Sequence, residues 1–278
     1  MRYIYSMPGA IIAFILFIAI VIFIPGYGPN DEVTLILTIS TFLFAILAGF
    51  FISRLNSRYD KIRELISDED ALFLSFYKTS QVYGDNFAKK IAECIDNFYI
   101  VAFDFIIGNC YKETSEYFLK MWDEVIKIKK VKNSSSNEYL FEQLTEIEKA
   151  RNQAAALYNE KMSYGQWVIL LALSGIILFS IFYIKTSVLY SQIISVLLST
   201  VLVLVLLLIR DLQNFMLGGG ALLEESGQEV LMMIGKKRYY NNYYLNKGMH
   251  KIPKTAKEYR VGMHEPGDSK FKIKLVKR

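Results

Sequence analysis

The second apolar segment of the chain carries small and hydroxylated side chains that recur every three or four residues. They are Thr34, Thr38, Thr41, Ala45, Ala48 and Gly49. Residues at this spacing share one side of a helix, and in lipid they let two helices pack closely. They also suit a water-lined pore, with Phe42 and Ile46 as an apolar constriction of the kind that gates by dewetting. From the residues alone, both interpretations stay open.

A second stripe lies in the fourth apolar segment, where Ser187, Ser191, Ser195 and Ser199 follow one another at four-residue intervals. Serines at this spacing predict a helix-packing surface. No charged residue lies inside any of the four apolar segments. This argues against a proton-coupled transporter, which would need carboxylates or histidines within the membrane.

The sequence contains no residue pattern typical of an enzyme. It has neither a recognisable nucleophile paired with a base nor an H-E-x-x-H motif. Cys94 and Cys110 form no C-x-x-C pair, and His250 and His264 lie far from both, so no zinc site is predicted. We expect no catalytic residue, no metal and no cofactor.

An acidic run at Asp68, Glu69 and Asp70 has the chemistry to bind a cation. Charged residues that follow one another on a predicted helix are more often a solvated face. We therefore interpret these three side chains as exposed.

The elements that position these residues follow from hydropathy. The chain is 53% hydrophobic yet 21% charged, so its apolar and polar parts must be separated along the sequence. Four uncharged stretches are each long enough to cross a hydrocarbon core, which needs about 20 helical residues. We predict an all-α integral membrane protein with four transmembrane helices in two hairpins. Its parts are transmembrane helices 1 and 2 in residues 1–53, a cytoplasmic helical domain in 54–161, transmembrane helices 3 and 4 in 162–209, and a cytoplasmic C-terminal helix and basic tail in 210–278.

The basic residues predict the orientation. Residues 54–161 contain 16 Lys plus Arg and residues 210–278 contain 14, whereas the loop after helix one has none and the loop after helix three has only Lys185. Lys and Arg near helix ends are retained on the cytoplasmic side. Both polar parts and both termini are therefore expected in the cytoplasm, at a cell inner or plasma membrane.

Helical periodicity extends into the polar parts. Helices two and three are expected to continue past the membrane as long rods, and residues 85–107 to form the buried helix of a bundle, with an interfacial helix as the alternative. Gly218 to Gly220 predict a break before the C-terminal helix.

Beyond that helix, a run of basic and aromatic residues extends from Gly235 to Lys247. Lys236, Lys237 and Arg238 suit contact with anionic lipid headgroups. A partly ordered, solvated tail is the alternative, and no nucleic acid is expected.

The end of helix two reads Arg54-Leu55-Asn56-Ser57-Arg58-Tyr59-Asp60-Lys61-Ile62-Arg63-Glu64. This resembles, without a gap, the R-x-N-S-x-Y-D-R-x-x-E segment that follows the second helix in bacterial bestrophins. Leu212-Gln213-Asn214-Phe215, after helix four, is similar to that family's acidic-Asn-Pro-Phe segment with the proline missing. In length and layout the chain resembles the small bacterial bestrophin-like membrane proteins.

Bestrophins are pentameric anion channels with a pore lined by the second helix, so the resemblance implies a homo-oligomer, a pentamer, that passes small anions such as chloride. It places the apolar neck of the pore at Thr38, Phe42 and Ile46. The other expected pore-lining residues are Thr34, Thr41, Ala45 and Gly49, and those of the cytoplasmic mouth are Arg54, Arg58 and Lys61.

Two departures from the family pattern bear on these expectations. Thr38 stands where a bulkier apolar residue is usual, and the acidic calcium cluster of animal bestrophins has no counterpart after Arg210, so calcium gating is not predicted. The competing hypothesis is a non-conducting membrane scaffold or sensor whose cytoplasmic domain and basic tail bind partners or anionic lipid.

Overall fold

The computed structural model describes residues 6–105, 107–129, 136–215, 220–247, 250, 252–268 and 271–278. Within them the chain is mostly helical, as predicted. The helices are α1 (Ser6–Phe23), α2 (Asp31–Gln81), α3 (Asp85–Asp104), α4 (Ile107–Lys129), α5 (Ser136–Asn159), α6 (Tyr164–Ile184), α7 (Leu189–Gln213), α8 (Gly220–Met233) and α9 (Asn242–Asn246). The strands are β1 (Tyr239–Asn241), β2 (Glu258–Gly262) and β3 (Ile273–Lys277).

The chain divides into two compact units. The membrane unit comprises Met1–Tyr59 and Lys161–Leu217, and the bundle unit comprises Asp60–Glu160 and Gly218–Arg278. Among the described residues, four helical stretches have the length and apolar composition to cross a membrane: Ser6–Phe23, Asp31–Gln81, Asn137–Ile184, which takes in α5 and α6, and Leu189–Gln213.

The core of the membrane unit forms where α2 packs against α6 and α7. Its fully enclosed apolar side chains are Phe44, Ala48, Phe51 and Leu55 from α2, Leu170, Ile177 and Ile181 from α6, and Leu202, Ile209 and Leu212 from α7. The α2 residues follow one another at intervals of three and four, so one side of this helix is committed to packing inside the subunit.

Helix α1 packs mainly on α7. Ala13, Phe17 and Val21 of α1 enclose Val196 of α7, and Ser195 and Ser199 are both buried. The expected packing role of the α7 serines is therefore confirmed for these two residues. Each small side chain lets the neighbouring backbone approach without leaving a cavity.

Charged side chains close both ends of α1. At its start, the Ser6 backbone N–H donates to the buried Asp211 carboxylate at 2.9 Å, where a negative charge complements the exposed amides of a helix N-terminus. At its end, the Lys185 ammonium donates to the Val21 carbonyl at 2.6 Å. Lys185, which lies between α6 and α7, thus stabilises a carbonyl in the last turn of α1.

The bundle unit is built around α3, whose buried side chains cover most of its length. This confirms the predicted buried helix over Asp85–Asp104; the prediction ran on to residue 107, whereas α3 ends at Asp104 and Ile107 begins α4. Around it lie the end of α2 with α4, α5, α8 and β1, in one continuous apolar cluster. Helix α8 stops where Gly235 adopts a positive φ of 83°, a conformation that glycine accepts without strain. Residues 218 and 219 of the predicted break before α8 lie outside the described residues.

The rod predicted for helix three is wrong in one respect. Helix α5 ends at Asn159 and α6 begins at Tyr164, with residues 160–163 between them. Ser163 and Gln166 form a capping box: the Gln166 side chain accepts from the Ser163 backbone N–H at 2.8 Å, and the Ser163 hydroxyl accepts from the Gln166 backbone N–H. This motif starts a new helix, and no proline was there to reveal it. Helix α2, in contrast, is unbroken over 51 residues.

The exposed acidic face predicted at residues 68–70 is also wrong. Asp68 is exposed, but Asp70 is buried and Glu69 is largely enclosed. The two inner carboxyl groups lie against hydrogen-bond donors and an arginine of the bundle unit, which repay part of the cost of removing them from water.

The C-terminal region forms a three-stranded sheet in place of a partly ordered tail. Strand β1 pairs parallel with β2, and β2 pairs antiparallel with β3. The sheet is held by Asp104, at the end of α3, whose carboxylate accepts from Tyr239 at 2.9 Å, Asn241 at 2.8 Å and His264 at 2.7 Å. All four side chains are buried, so the acid organises residues that lie far apart in sequence.

We predict that Asp104→Ala detaches this sheet, because three buried donors lose their acceptor at once. The expected loss is about 3 kcal/mol of stability or more. Limited proteolysis should then cut within residues 235–278 much faster than in the wild type. Asp123→Ala, which removes an exposed acid of α4, is the control, and equal cleavage rates in both variants would contradict the assignment.

Candidate functional site

The seven residues predicted to line a pore all lie on the exposed side of α2. Thr34, Thr38, Thr41, Phe42, Ala45, Ile46 and Gly49 are each exposed in the single chain. Phe42 and Ile46 are the bulky members, with 66% and 53% of their surface accessible. We call these seven residues the α2 stripe.

The small residues of α2 differ in burial, so some fit the packing interpretation and others fit the pore interpretation. Ala48, which belongs to the same three-to-four-residue pattern, is 4% exposed and packs inside the subunit. Because a helix turns about 100° per residue, Ala48 lies at the border between the buried side and the stripe. Small residues therefore serve helix packing at Ala48 and leave an open surface at the other positions.

The threonine hydroxyl groups of the stripe bond within their own helix. Thr34 donates to the Asn30 carbonyl, Thr38 to the Thr34 carbonyl and Thr41 to the Leu37 carbonyl, at 2.7–2.8 Å. The hydroxyl oxygen keeps a free acceptor site while the proton is occupied. The stripe thus offers methyl groups, aromatic and aliphatic surface and few free donors.

Arg58, expected at the mouth of the pore, is instead buried. It is 6% exposed, its guanidinium donates to the Gln213 carbonyl at 2.6 Å, and it lies over the Phe215 ring at 4.6 Å. Arg58 lies on the packed side of α2, in line with Phe51 and Leu55. Its charge is used within the subunit, and the expected role at an open pore mouth is not supported.

The contact of Arg58 joins the two segments that carried the family resemblance. Tyr59 stacks on Phe215 with ring centroids 5.6 Å apart, and Trp167 of α6 donates to the Gln213 side chain at 3.0 Å. Phe215 reaches this position with a positive φ of 55°, which is uncommon for a residue with a side chain. Sequence reasoning found both segments but missed that they meet, since nothing in their composition encodes the pairing.

The remaining residues of the family segment are more accessible. Arg54, Asn56, Ser57, Asp60 and Lys61 are exposed and Tyr59 is half-buried. Lys61 pairs with Glu64 at 2.9 Å, so the net charge of that exposed pair is small. Exposed pairs of this kind contribute little to stability.

The three cations expected to meet lipid headgroups pair with acids of the bundle unit. Lys236 lies 3.8 Å from Asp96, Lys237 lies 3.0 Å from Glu258, and Arg238 lies 2.7 Å from Glu225. Asp96 and Glu258 are also paired with Arg260 and Lys277, so the positive charge of this segment is only partly offset within the fold. Contact of these residues with lipid headgroups stays a prediction.

Among the described residues, no three or more His, Cys, Asp or Glu side chains are placed to hold a metal ion. Burial raises the pKa of the Cys110 thiol to about 12, which keeps it protonated and a poor ligand or nucleophile.

The geometry defines a class: a multi-span helical membrane protein with a long second helix and a large helical unit inserted between two pairs of apolar helices. The family model of the bestrophin-like domain matches residues 10–214. The chain belongs to the bestrophin-like family. No curated protein sequence matches it significantly.

Solved structures share this fold at low sequence identity. A single-residue variant of a bacterial bestrophin homolog from Klebsiella pneumoniae has a TM-score of 0.60 at 14% identity, with 83% of this chain and 97% of that chain covered. A single-residue variant of a membrane protein has a TM-score of 0.63 at 14% identity, with 81% and 98% covered. At this identity the likeness extends to the fold and not to individual side chains.

We predict that Arg58→Ala frees the 213–215 segment from α2. The chain has two tryptophans, so in a Trp122→Phe background Trp167 reports on its bond to Gln213. Its emission should shift to longer wavelength, and thermal unfolding should show a loss of about 2 kcal/mol. Arg63→Ala, at an exposed site on the same helix, should leave both readings unchanged.

Proposed function

We propose that this protein is an oligomeric anion channel whose pore is lined by the α2 stripe of each subunit. The observation that carries the proposal is the exposure of Phe42 and Ile46 beside a fully packed opposite side of α2. One side of the helix is packed inside the subunit, so the stripe is part of the exposed side that is available to face a symmetry axis. Family membership supports this arrangement, since bestrophins conduct anions through a pore lined by the second helix.

The proposed pore is shared between copies of the chain. The packed side of α2 is occupied by side chains of α6 and α7, so a pore lined by this helix would use its exposed side. A closed ring in which each copy presents the same helix to the axis creates one, and the resemblance to bestrophins favours a pentamer. The neck would consist of rings of Thr38, Phe42 and Ile46.

The electrostatics proposed for the cytoplasmic end rest on Arg54, which is exposed, because the charge of Lys61 is largely balanced by Glu64. Positive side chains near a narrow passage raise the local concentration of anions. Arg58 is left out of this role because its guanidinium is buried against Phe215. Chloride is the proposed ion, and the chain is not proposed to act as an enzyme.

A second candidate function is a non-conducting scaffold or sensor. The observation that favours it is the internal bonding of Thr34, Thr38 and Thr41, which leaves the stripe apolar enough to face lipid or a neighbouring helix. In that case the bundle unit, with its folded C-terminal sheet, would be the working part.

A flux assay separates these functions. Purified protein in liposomes should release chloride, and Phe42→Ala and Ile46→Ala should each raise the flux severalfold because they widen an apolar constriction. Leu43→Ala is the matched control. Leu43 has as many side-chain carbon atoms as Ile46 and is also exposed. It lies next to Phe42 on α2 but off the stripe. Parallel assays with potassium and sodium test the ion preference.

Failure of the wild type and both widened variants to pass chloride would remove the channel proposal. Equal effects of Leu43→Ala and Phe42→Ala would show that the stripe has no special place in conduction.

Assembly is tested separately. Native mass spectrometry or electron microscopy in mild detergent should show a closed ring, expected to be a pentamer, with the α2 stripes at its axis. A monomer would contradict the shared pore, and a ring with the stripes facing lipid would favour the scaffold.

A further inference from the structure

An acid–arginine cluster lies inside the bundle unit, apart from the α2 stripe. Its first member is Asp70 of α2, which is 5% exposed. Its carboxylate accepts from the Tyr99 hydroxyl of α3 at 2.5 Å and from the Ser226 hydroxyl of α8. Two donors on two other helices therefore favour the ionised form of Asp70.

The second member is Arg151 of α5, which is also buried. Its guanidinium donates to the Thr114 hydroxyl at 2.7 Å and to the Tyr111 carbonyl at 3.2 Å, both on α4. It also lies 4.4 Å from the centre of the Phe118 ring and 5.1 Å from that of Phe98. The aromatic rings and the α4 oxygen atoms therefore stabilise the Arg151 guanidinium without a hydrogen bond to a carboxylate.

Glu69 is the member whose charge is poorly matched. Its carboxyl lies 3.8 Å from the Arg151 guanidinium, which is beyond hydrogen-bond distance. It is next to Asp70 in sequence, and its side chain is 14% exposed. Two acids are thus neighbours, with one arginine beside Glu69, and the best donors of that arginine are already directed to α4. Ionising both acids would leave an excess negative charge away from water.

We propose that Glu69 acts as a proton-dependent latch: it holds a proton at neutral pH, and its deprotonation in mild alkali loosens the contact of α2 with α3, α4, α5 and α8. The latch belongs to the bundle unit and does not depend on ion conduction. In the latched state Asp70 and Arg151 are charged and Glu69 is neutral.

The groups that face Glu69 support this assignment. They are Asp70 on α2, Tyr99 on α3, Cys110 on α4 and Arg151 on α5. Tyr111 and Glu148 act on Arg151, and Ser226 acts on Asp70. Burial, and next the charge of Asp70, raise the pKa of Glu69 to about 8 against the attraction of Arg151. Burial raises the pKa of Asp70 to about 6, although the hydrogen bonds from Ser226 and Tyr99 oppose it. The first proton to leave is therefore that of Asp70.

The direction of the pH dependence follows from linkage. An acid whose pKa is higher in the folded than in the unfolded state stabilises the fold below its unfolded value, 4.5 for Glu69, and loses that contribution as the pH rises through the folded value. The stability of the bundle unit should therefore fall as the pH rises from about 4.5 to about 8, and level off above that.

The test is the unfolding temperature of the full-length protein in detergent from pH 6 to pH 9, for the wild type and Glu69→Gln. The wild type should lose about 6 °C between pH 6 and pH 8 through this group. Glu69→Gln, which fixes the neutral form, should lose much less and exceed the wild type above pH 8. Asp68→Asn is the matched control, since Asp68 is the exposed neighbour on the same helix, and it should follow the wild type.

Equal pH dependence in Glu69→Gln and the wild type would overturn the latch. So would a Glu69→Gln variant that fails to fold at pH 7, because the neutral side chain is the proposed stable form. Asp70→Asn provides a second test. Loss of the Asp70 charge should lower the pH at which the fall in unfolding temperature levels off. If Glu69 had only a structural role, that pH would not change.

Discussion

The rotation of α2 about its own axis is the constraint on which the rest of the structure depends. One buried line runs along the helix for most of its length, at intervals of three to five residues: Ser40, Phe44, Ala48, Phe51, Leu55, Arg58, Ile62, Leu65, Asp70, Phe73, Phe76 and Ser80. Packing of Phe44, Phe51 and Leu55 on α6 and α7 fixes this line in the membrane unit, and Phe73 and Phe76 fix it in the bundle unit. The orientation of the α2 stripe is then a consequence of packing on the other side of the helix.

The two charged members of this buried line, Arg58 and Asp70, each have several partners. Arg58 is enclosed by Phe215 and a carbonyl, and Asp70 by two hydroxyl groups. A buried charge is tolerated only when nearby groups replace its hydration. Here the replacement comes from aromatic faces, backbone carbonyls and hydroxyl groups more than from direct ion pairs. Because these partners lie on other segments of the chain, each charge fixes the packing of those segments against α2.

The sequence sufficed for the parts of the structure that hydropathy controls. Uncharged length predicted the spans, and the spacing of Thr34, Phe42 and Ile46 predicted a shared helix side. Prediction from the sequence failed for residues of usually exposed types that are buried in the fold. Arg58, Glu69 and Asp70 belong to types that are usually exposed, and only tertiary contacts show that they are enclosed.

The C-terminal sheet was missed for a similar reason. Its strands are short, and its organiser, Asp104, lies 135 residues from Tyr239 along the chain. No local pattern connects the two, and the helical periodicity that guided the rest of the chain gives no signal for a three-residue strand. The break between α5 and α6 was missed because a Ser and Gln capping pair replaces the usual proline or glycine.

The uninterrupted length of α2 limits how the gene for this protein can change. A helix of 51 residues rises about 77 Å at 1.5 Å per residue, and every side chain beyond a given point keeps its direction only if the residue count is preserved. A one-residue insertion between Leu55 and Ile62 would turn the whole downstream part by about 100° and move either the first or the second half of the buried line out of register. Insertions and deletions in α2 should therefore be tolerated only in multiples close to whole turns, and length variation should accumulate in connections such as residues 160–163.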